Sequence, residues 1–192
     1  MSKLRAFLAI PLSEDFRRQA AHLQKELAPS LPDLRWVRPE TLHLTLRFLP
    51  DLPEETVEKI GQIMLSVGAV FPPFDIGITN LGTFPGPSRA RVLWLGIDVG
   101  EILAKLFRAL DKGLETLGIP RETRPFTPHL TLGRWRQPGA FPEDLRQRLA
   151  AGSIGGFRAE QLILFESRLA ANGATHLPLR VVTLGLPRAA TS

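Results

Sequence analysis

Short apolar runs bounded by turn residues alternate along this chain with longer stretches in which apolar residues recur every three or four positions. Arg5-Ala6-Phe7-Leu8-Ala9-Ile10 and Arg91-Val92-Leu93-Trp94-Leu95-Gly96-Ile97 are too brief for a typical helix and carry the aromatic and branched side chains of a buried strand. Phe16, Ala20, Leu23 and Leu27 follow the first run at helical spacing, and Ile102, Leu103, Leu106, Leu110, Leu114 and Leu117 follow the second, so each strand is predicted to lead into an amphipathic helix. Ser13, with Glu14 and Asp15 behind it, is an N-cap signal, and Gly118-Ile119-Pro120 is a stop signal. Further strands are predicted at Phe74 to Thr79, Gln161 to Phe165 and His176 to Leu184, and further helices at Pro53 to Val67 and Pro142 to Ala150. Glycine and proline gather at Leu81 to Ser88 and Gln137 to Pro142, which read as joints, the first of them as the passage between two halves. Alternating strands and helices give an α+β or α/β sandwich, and the hairpin-like late segments favour antiparallel sheets.

The two strand–helix units are copies. Arg38-Pro39-Glu40-Thr41-Leu42-His43-Leu44-Thr45-Leu46 returns as Arg124-Pro125-Phe126-Thr127-Pro128-His129-Leu130-Thr131-Leu132, with seven of nine positions identical. The offset of 86 that carries His43 onto His129 also carries Arg5 onto Arg91 without a gap. Given the Thr and Leu content, the chance that two of four histidines are each followed by Leu-Thr-Leu is on the order of 10⁻⁵. The 192 residues therefore read as one bilobal, internally duplicated domain, with repeat halves of about 1–86 and 87–192.

Composition narrows the chemistry. The chain has no cysteine, which excludes disulfides and thiolate zinc sites and fits a cytoplasmic location. Lys3 and Arg5 ahead of Ala6 to Leu12 resemble the start of a signal peptide, but Ser13-Glu14-Asp15-Phe16-Arg17-Arg18 follows at once without a small-residue cleavage site, so this segment reads as the first strand. No apolar stretch approaches the ~20 residues that span a bilayer, and no membrane partner is expected. A net charge of +5 fits an anionic partner such as nucleic acid, although the basic residues are interleaved with acidic ones and equally suit a solvated surface.

In a strand, residues i and i+2 share a face, so His43 and Thr45 project together, opposite Leu44 and Leu46, and His129 and Thr131 repeat the arrangement. Leucines anchoring each strand would leave two imidazoles and two hydroxyls around one cavity. An in-line displacement at phosphorus needs a base and an acid on opposite sides, and histidine serves as either near pH 7. Threonine hydroxyls can donate to the non-bridging oxygens. A lone strand histidine is more often structural; the duplication argues otherwise. A metal centre fits less well, because neither copy adds a carboxylate pair or a second His at i+4. His22 reads as a surface or packing residue, and His176 heads the last apolar strand without an assigned role.

His-Leu-Thr-Leu twice in a chain of this length resembles the two-histidine (2H) phosphoesterase superfamily. Arg5 to Ile10, Arg35-Trp36-Val37-Arg38-Pro39-Glu40 through Phe48-Leu49, Arg91 to Gly96, His129 through Gly133-Arg134 and Leu164-Phe165-Glu166-Ser167 look like the RNA 2′,3′-cyclic phosphodiesterases, also called 2′-5′ RNA ligases (ThpR/LigT). The resemblance implies a bilobal α+β fold, with two antiparallel sheets lining a central cleft and helices outside. It implies hydrolysis of RNA 2′,3′-cyclic phosphate ends to 2′-phosphomonoesters without metal or other cofactor, with 2′-5′ ligation as the reverse. His43 would be the proton donor and His129 the proton acceptor. Thr45, Thr131 and Arg134 would hold phosphate, and Arg47 and Phe48 would be further substrate contacts. Alternation from His43 sends Arg47 to the cleft side, whereas Phe48 needs a strand end or a bulge to reach it. Pro50 stands where the family often has Gly, and His176 near a frequent Tyr. The rival substrates are a small cyclic nucleotide or ADP-ribose cyclic phosphate, and the rival class is a non-catalytic RNA-binding module. The chain carries no signal for oligomeric state.

Overall fold

The computed structural model describes residues 3–98, 100–145, 155–170 and 173–185. In chain order the elements are β1 (Lys3–Pro11), α1 (Glu14–Leu27), β2 (Leu34–Trp36), β3 (His43–Pro53), α2 (Val57–Gly68), β4 (Phe74–Phe84), β5 (Ala90–Asp98), α3 (Glu101–Glu115), β6 (His129–Gly139), β7 (Gly156–Ala159), β8 (Gln161–Ala170) and β9 (Gly173–Thr183). The strands form two antiparallel sheets, one of four strands in the order β3-β1-β8-β9 and one of five in the order β2-β6-β5-β4-β7. The fold is α+β, one of the two classes that the residue pattern leaves open and the one that the resemblance implies.

The offset of 86 that relates the two histidine motifs also carries β4 onto β8 to within a residue. These two strands change places: β4 pairs with β5, and β8 pairs with β1. The short β2 also crosses over, pairing with β6. Each sheet therefore draws strands from both 1–86 and 87–192, and one hydrophobic core runs through both. The helices seal it. Ser13 Oγ accepts the Phe16 N–H at 3.2 Å, making the predicted cap of α1. Phe16, Ala20, Leu23 and Leu27 form its buried stripe, with the Phe16 ring 5.3 Å from that of Phe157 on β7. Helix α2 packs on β8, β9 and α3, and α3 buries Leu103, Leu106, Leu110 and Leu114. No helix among the described residues is long and apolar enough to cross a membrane.

Several boundaries differ from the sequence expectation. Leu81 to Phe84 are strand rather than joint, paired with Leu95 to Val92. Gly82 is there for packing, since a Cβ would lie 2.3 Å from the Trp94 ring. The turn shrinks to the residues between Phe84 and Ala90, and β6 likewise runs to Gly139, through the other expected joint. Helix α3 ends at Glu115, three residues before Gly118, which takes a left-handed φ of +77°. Within that helix Ile102 lies at the exposed edge of the stripe. Of the helix expected at 142–150, residues 143–145 are helical and 146–150 lie outside the described residues.

Candidate active site

Strands β3 and β6 both begin at the motif histidine, and the two strands pack close to one another. Leu44, Leu46, Leu130 and Leu132 are buried in the core, and His43, Thr45, His129 and Thr131 are half-buried on the opposite face. What orients the imidazoles is a backbone group two residues upstream in each copy. His43 Nδ1 lies 2.7 Å from the Thr41 carbonyl oxygen, and His129 Nδ1 lies 2.8 Å from that of Thr127. A carbonyl can only accept, so each Nδ1 carries the proton and donates it, leaving each Nε2 free of that bond. The conserved spacing within the repeat thus reproduces one ring orientation twice.

Both motif strands bulge at the same place. Leu8 faces Arg47 while Ala9 faces Thr45, leaving Leu46 as the extra residue; Leu93 faces Gly133 while Trp94 faces Thr131, leaving Leu132. These bulges are 86 residues apart, and each shifts the side chains that follow to the opposite face. Phe48 therefore returns to the histidine side, its ring 6.1 Å from Phe7, which stacks on His43 at 4.6 Å. Arg134, 86 residues after Phe48, occupies the equivalent exposed position on β6. The displaced Leu132 carbonyl accepts from Val37 N at 2.8 Å and from the buried Gln24 Nε2 at 3.1 Å, so the irregularity leaves no orphan acceptor there.

The same shift corrects the expectation for Arg47. Simple alternation ignores the bulge; with it, Arg47 turns away from the histidines and is tied into an ion-pair network. Its Nε lies 3.1 Å from Asp111 Oδ1 on α3, one terminal nitrogen lies 3.1 Å from Glu122 Oε2, and the other donates to the Pro120 carbonyl. The Arg47 and Asp111 side chains are only 12% and 9% exposed. Glu122 also takes two hydrogen bonds of 3.0 Å from Arg124, and these, with the Arg124 N–H, hold its carboxyl down at about 2. Arg47 thus bolts β3 to α3 and to the segment leading into His129. Its equivalent on β6 is Gly133, where a Cβ would come within 2.8 Å of Leu34 on the neighbouring β2.

The nearly identical motifs sit in different surroundings. His43 stacks on Phe7, meets the His176 ring edge-on at 5.2 Å and lies 6.3 Å from Phe165. Burial against these rings pushes its pKa down to about 4, against the opposing effect of the Thr41 carbonyl. His129 instead faces the edge of Phe84 at 5.0 Å and Trp94 at 6.3 Å. His176, left unassigned from the sequence, belongs to this cleft: it contacts Phe7 at 4.9 Å and its pKa is lowered by burial first and by Arg38 second. Phe7, Phe84 and Trp94 were also missed as cleft residues. The signal for Phe7 was its alternation with Ala9 in the strand beside His43; Phe84 and Trp94 reach the site through a β4–β5 pairing that no local pattern announces.

The residues from 10 to 94 and from 97 to 176 match the family described as LigT like phosphoesterase. The chain is 33% identical over 184 residues to an RNA 2′,3′-cyclic phosphodiesterase of Methanothermobacter thermautotrophicus, covering 95% of this chain and all of that one. It is 30% identical over 178 residues to the protein of the same description from Archaeoglobus fulgidus, covering 93% and 99%. Among solved structures, a Thermus thermophilus protein superposes with a TM-score of 0.82 at 28% identity over 95% of this chain and 98% of that one. Escherichia coli LigT superposes at 0.76 and 26% identity over 97% of this chain and the whole of that one. With a duplicated histidine strand, its paired bulges and a family match across most of its length, this chain belongs to the LigT-like phosphoesterases.

Proposed function

We propose that this enzyme opens the 2′,3′-cyclic phosphate ends of RNA to 2′-phosphomonoesters, with His43 and His129 as the acid–base pair. The supporting observation is the twofold orientation of the imidazoles: each spends its Nδ1 proton on a backbone carbonyl and so offers Nε2 for proton transfer. His129, as base, takes a proton from water as its oxygen bonds to phosphorus. The bond from phosphorus to the 3′ oxygen breaks, and His43, as acid, delivers a proton to that oxygen. Thr45 and Thr131 hydroxyls donate to the non-bridging oxygens, and Arg134 adds a charge-assisted contact. With an RNA 5′-hydroxyl in place of water, His129 takes that hydroxyl's proton as its oxygen bonds to phosphorus, the bond to the 3′ oxygen breaks, and His43 protonates the 3′ oxygen, leaving a 2′-5′ linkage.

A buried His43 with a pKa of about 4 is neutral at pH 7 in the free protein, so an acid role requires the substrate to charge it. The phosphate anion does this, since a nearby opposite charge favours the imidazolium. The test is the pH–rate profile for opening a 2′,3′-cyclic phosphate in EDTA, with the product's phosphate position identified, for wild type and the His43→Ala and His129→Ala variants. The expected result is a 2′-phosphate product, loss of turnover in both variants, and an alkaline limb at higher pH in kcat than in kcat/KM, because the first reports the substrate complex and the second the free enzyme. Abolition by EDTA, or turnover surviving both substitutions, sinks this mechanism.

A further inference from the structure

The bulge that turns Arg134 toward the histidines also sets a row of side chains across the five-stranded sheet. Phe84 on β4 pairs with Val92 on β5, Val92 pairs with Arg134 on β6, and Arg134 pairs with Arg35 on β2, the edge strand. Residues directly opposite one another in antiparallel strands share a face. Phe84 meets the His129 ring at 5.0 Å, so the face of this row is the histidine face. Its last member, Arg35, lies one strand beyond Arg134, at a Cα separation of about 5 Å. Arg136, two residues along β6, joins them on that side, whereas the paired Leu34 and Trp135 are buried beneath.

Three exposed arginines thus stand together without a counter-charge. Among the described residues, none of Arg35, Arg134 and Arg136 makes a hydrogen bond or an ion pair through its side chain. Elsewhere pairing is the rule: Arg18, Arg121, Arg168 and Arg180 each reach a carboxylate. Every Asp and Glu of the chain lies among the described residues, so no acidic side chain is left to fill the gap. Like charges directly opposite on paired strands repel and destabilise the sheet. A charge kept only to blunt the sheet edge would do so without facing another arginine. An anion bound across the group relieves the repulsion.

We propose that Arg35 and Arg136 form a second anion site, which holds the backbone phosphodiester nearest the cyclic end of the RNA. The inference rests on the reading of the enzyme as acting on RNA ends, in which Arg134 contacts the reacting phosphate. Ribose and base carry no charge, so the first anion that the chain offers beyond the reacting phosphate is the phosphodiester one nucleoside away. The cations next to Arg134 meet that group before any other. Guanidinium groups suit it, since each can present two N–H donors to two phosphate oxygens. Backbone contacts of this kind carry no sequence information, so the site favours a chain over a cyclic mononucleotide whatever its bases.

The test compares kcat/KM for two dinucleotides with the same bases and the same 2′,3′-cyclic phosphate end, one joined by the natural phosphodiester and one by an uncharged methylphosphonate. Wild type should favour the charged link by roughly tenfold at low salt, the lower end for hydrogen bonds to an ionised group. That ratio should fall about 2.6-fold between about 50 and 200 mM salt, because one neutralised phosphate on a single strand gives a logarithmic slope near about −0.7. Arg35→Gln combined with Arg136→Gln should bring the ratio close to one and remove its salt dependence, and Arg35→Lys with Arg136→Lys should keep part of both. Arg108→Gln removes an exposed arginine from α3 and should leave the ratio as in wild type. Because each ratio is internal to one variant, a general change in activity does not enter. A wild-type ratio near one, a ratio that survives the double glutamine variant, or an equal loss in Arg108→Gln overturns the second site alone. No turnover of either dinucleotide overturns the RNA-end reading with it.

Discussion

At the scale of single residues, the two motif histidines are the same side chain in two environments, and His43 carries the energetic consequence. Its pKa of about 4 lies below the ordinary histidine value of 6.5 because the ring is packed against Phe7 and its neighbours. The unfolded chain takes up a proton near pH 6.5 that the folded protein refuses until near pH 4. Stability from this group is therefore complete above pH 6.5 and falls as pH drops through that window. Glu122, held at about 2, adds a loss of the same sign that starts only below its ordinary 4.5. Thermal melts between pH 7 and pH 4.5 should show a decline for wild type that is shallower in His43→Gln, whose amide does not titrate. Parallel declines would show that the His43 ring does not resist protonation.

At the scale of elements, the bulge decides which side chains see the cleft. The nine-residue repeat made the pair His43 and His129 legible, together with their threonines, because those positions precede Leu46 and Leu132 and obey strict alternation. The same rule failed at Arg47, because nothing in Leu-Arg-Phe marks an extra residue against β1. The buried Asp111 was a fainter clue, a carboxylate inside the apolar stripe of α3 that requires a cationic partner. Breaking this pair leaves one charge in a nearly dry site. Arg47→Met should cost about 3–5 kcal/mol in urea unfolding, and adding Asp111→Leu should recover most of it, since apolar replacement of a whole buried pair is often neutral. A loss below about 1 kcal/mol for the single change would place the pair among ordinary surface bridges.

At the scale of the molecule, the exchange of β4 and β8 makes the two sheets interdependent. A repeat that kept its strands to itself would give two modules able to open separately; here the sheet holding His43 needs β8 and β9 from the second half, and the sheet holding His129 needs β2 and β4 from the first. This exchange was invisible to the repeat, which reports ancestry by sequence offset but not which sheet each strand joins. The three tryptophans allow a direct check, because Trp36, Trp94 and Trp135 lie on β2, β5 and β6, all in the five-stranded sheet. Indole fluorescence thus follows that sheet alone, whereas far-UV circular dichroism follows both. If the shared core unfolds as a unit, urea transitions by the two probes coincide at one midpoint and with one slope. A dichroism transition that splits while the fluorescence remains single would mean that the four-stranded sheet opens on its own, and that the exchanged strands do not couple the two histidines through the fold.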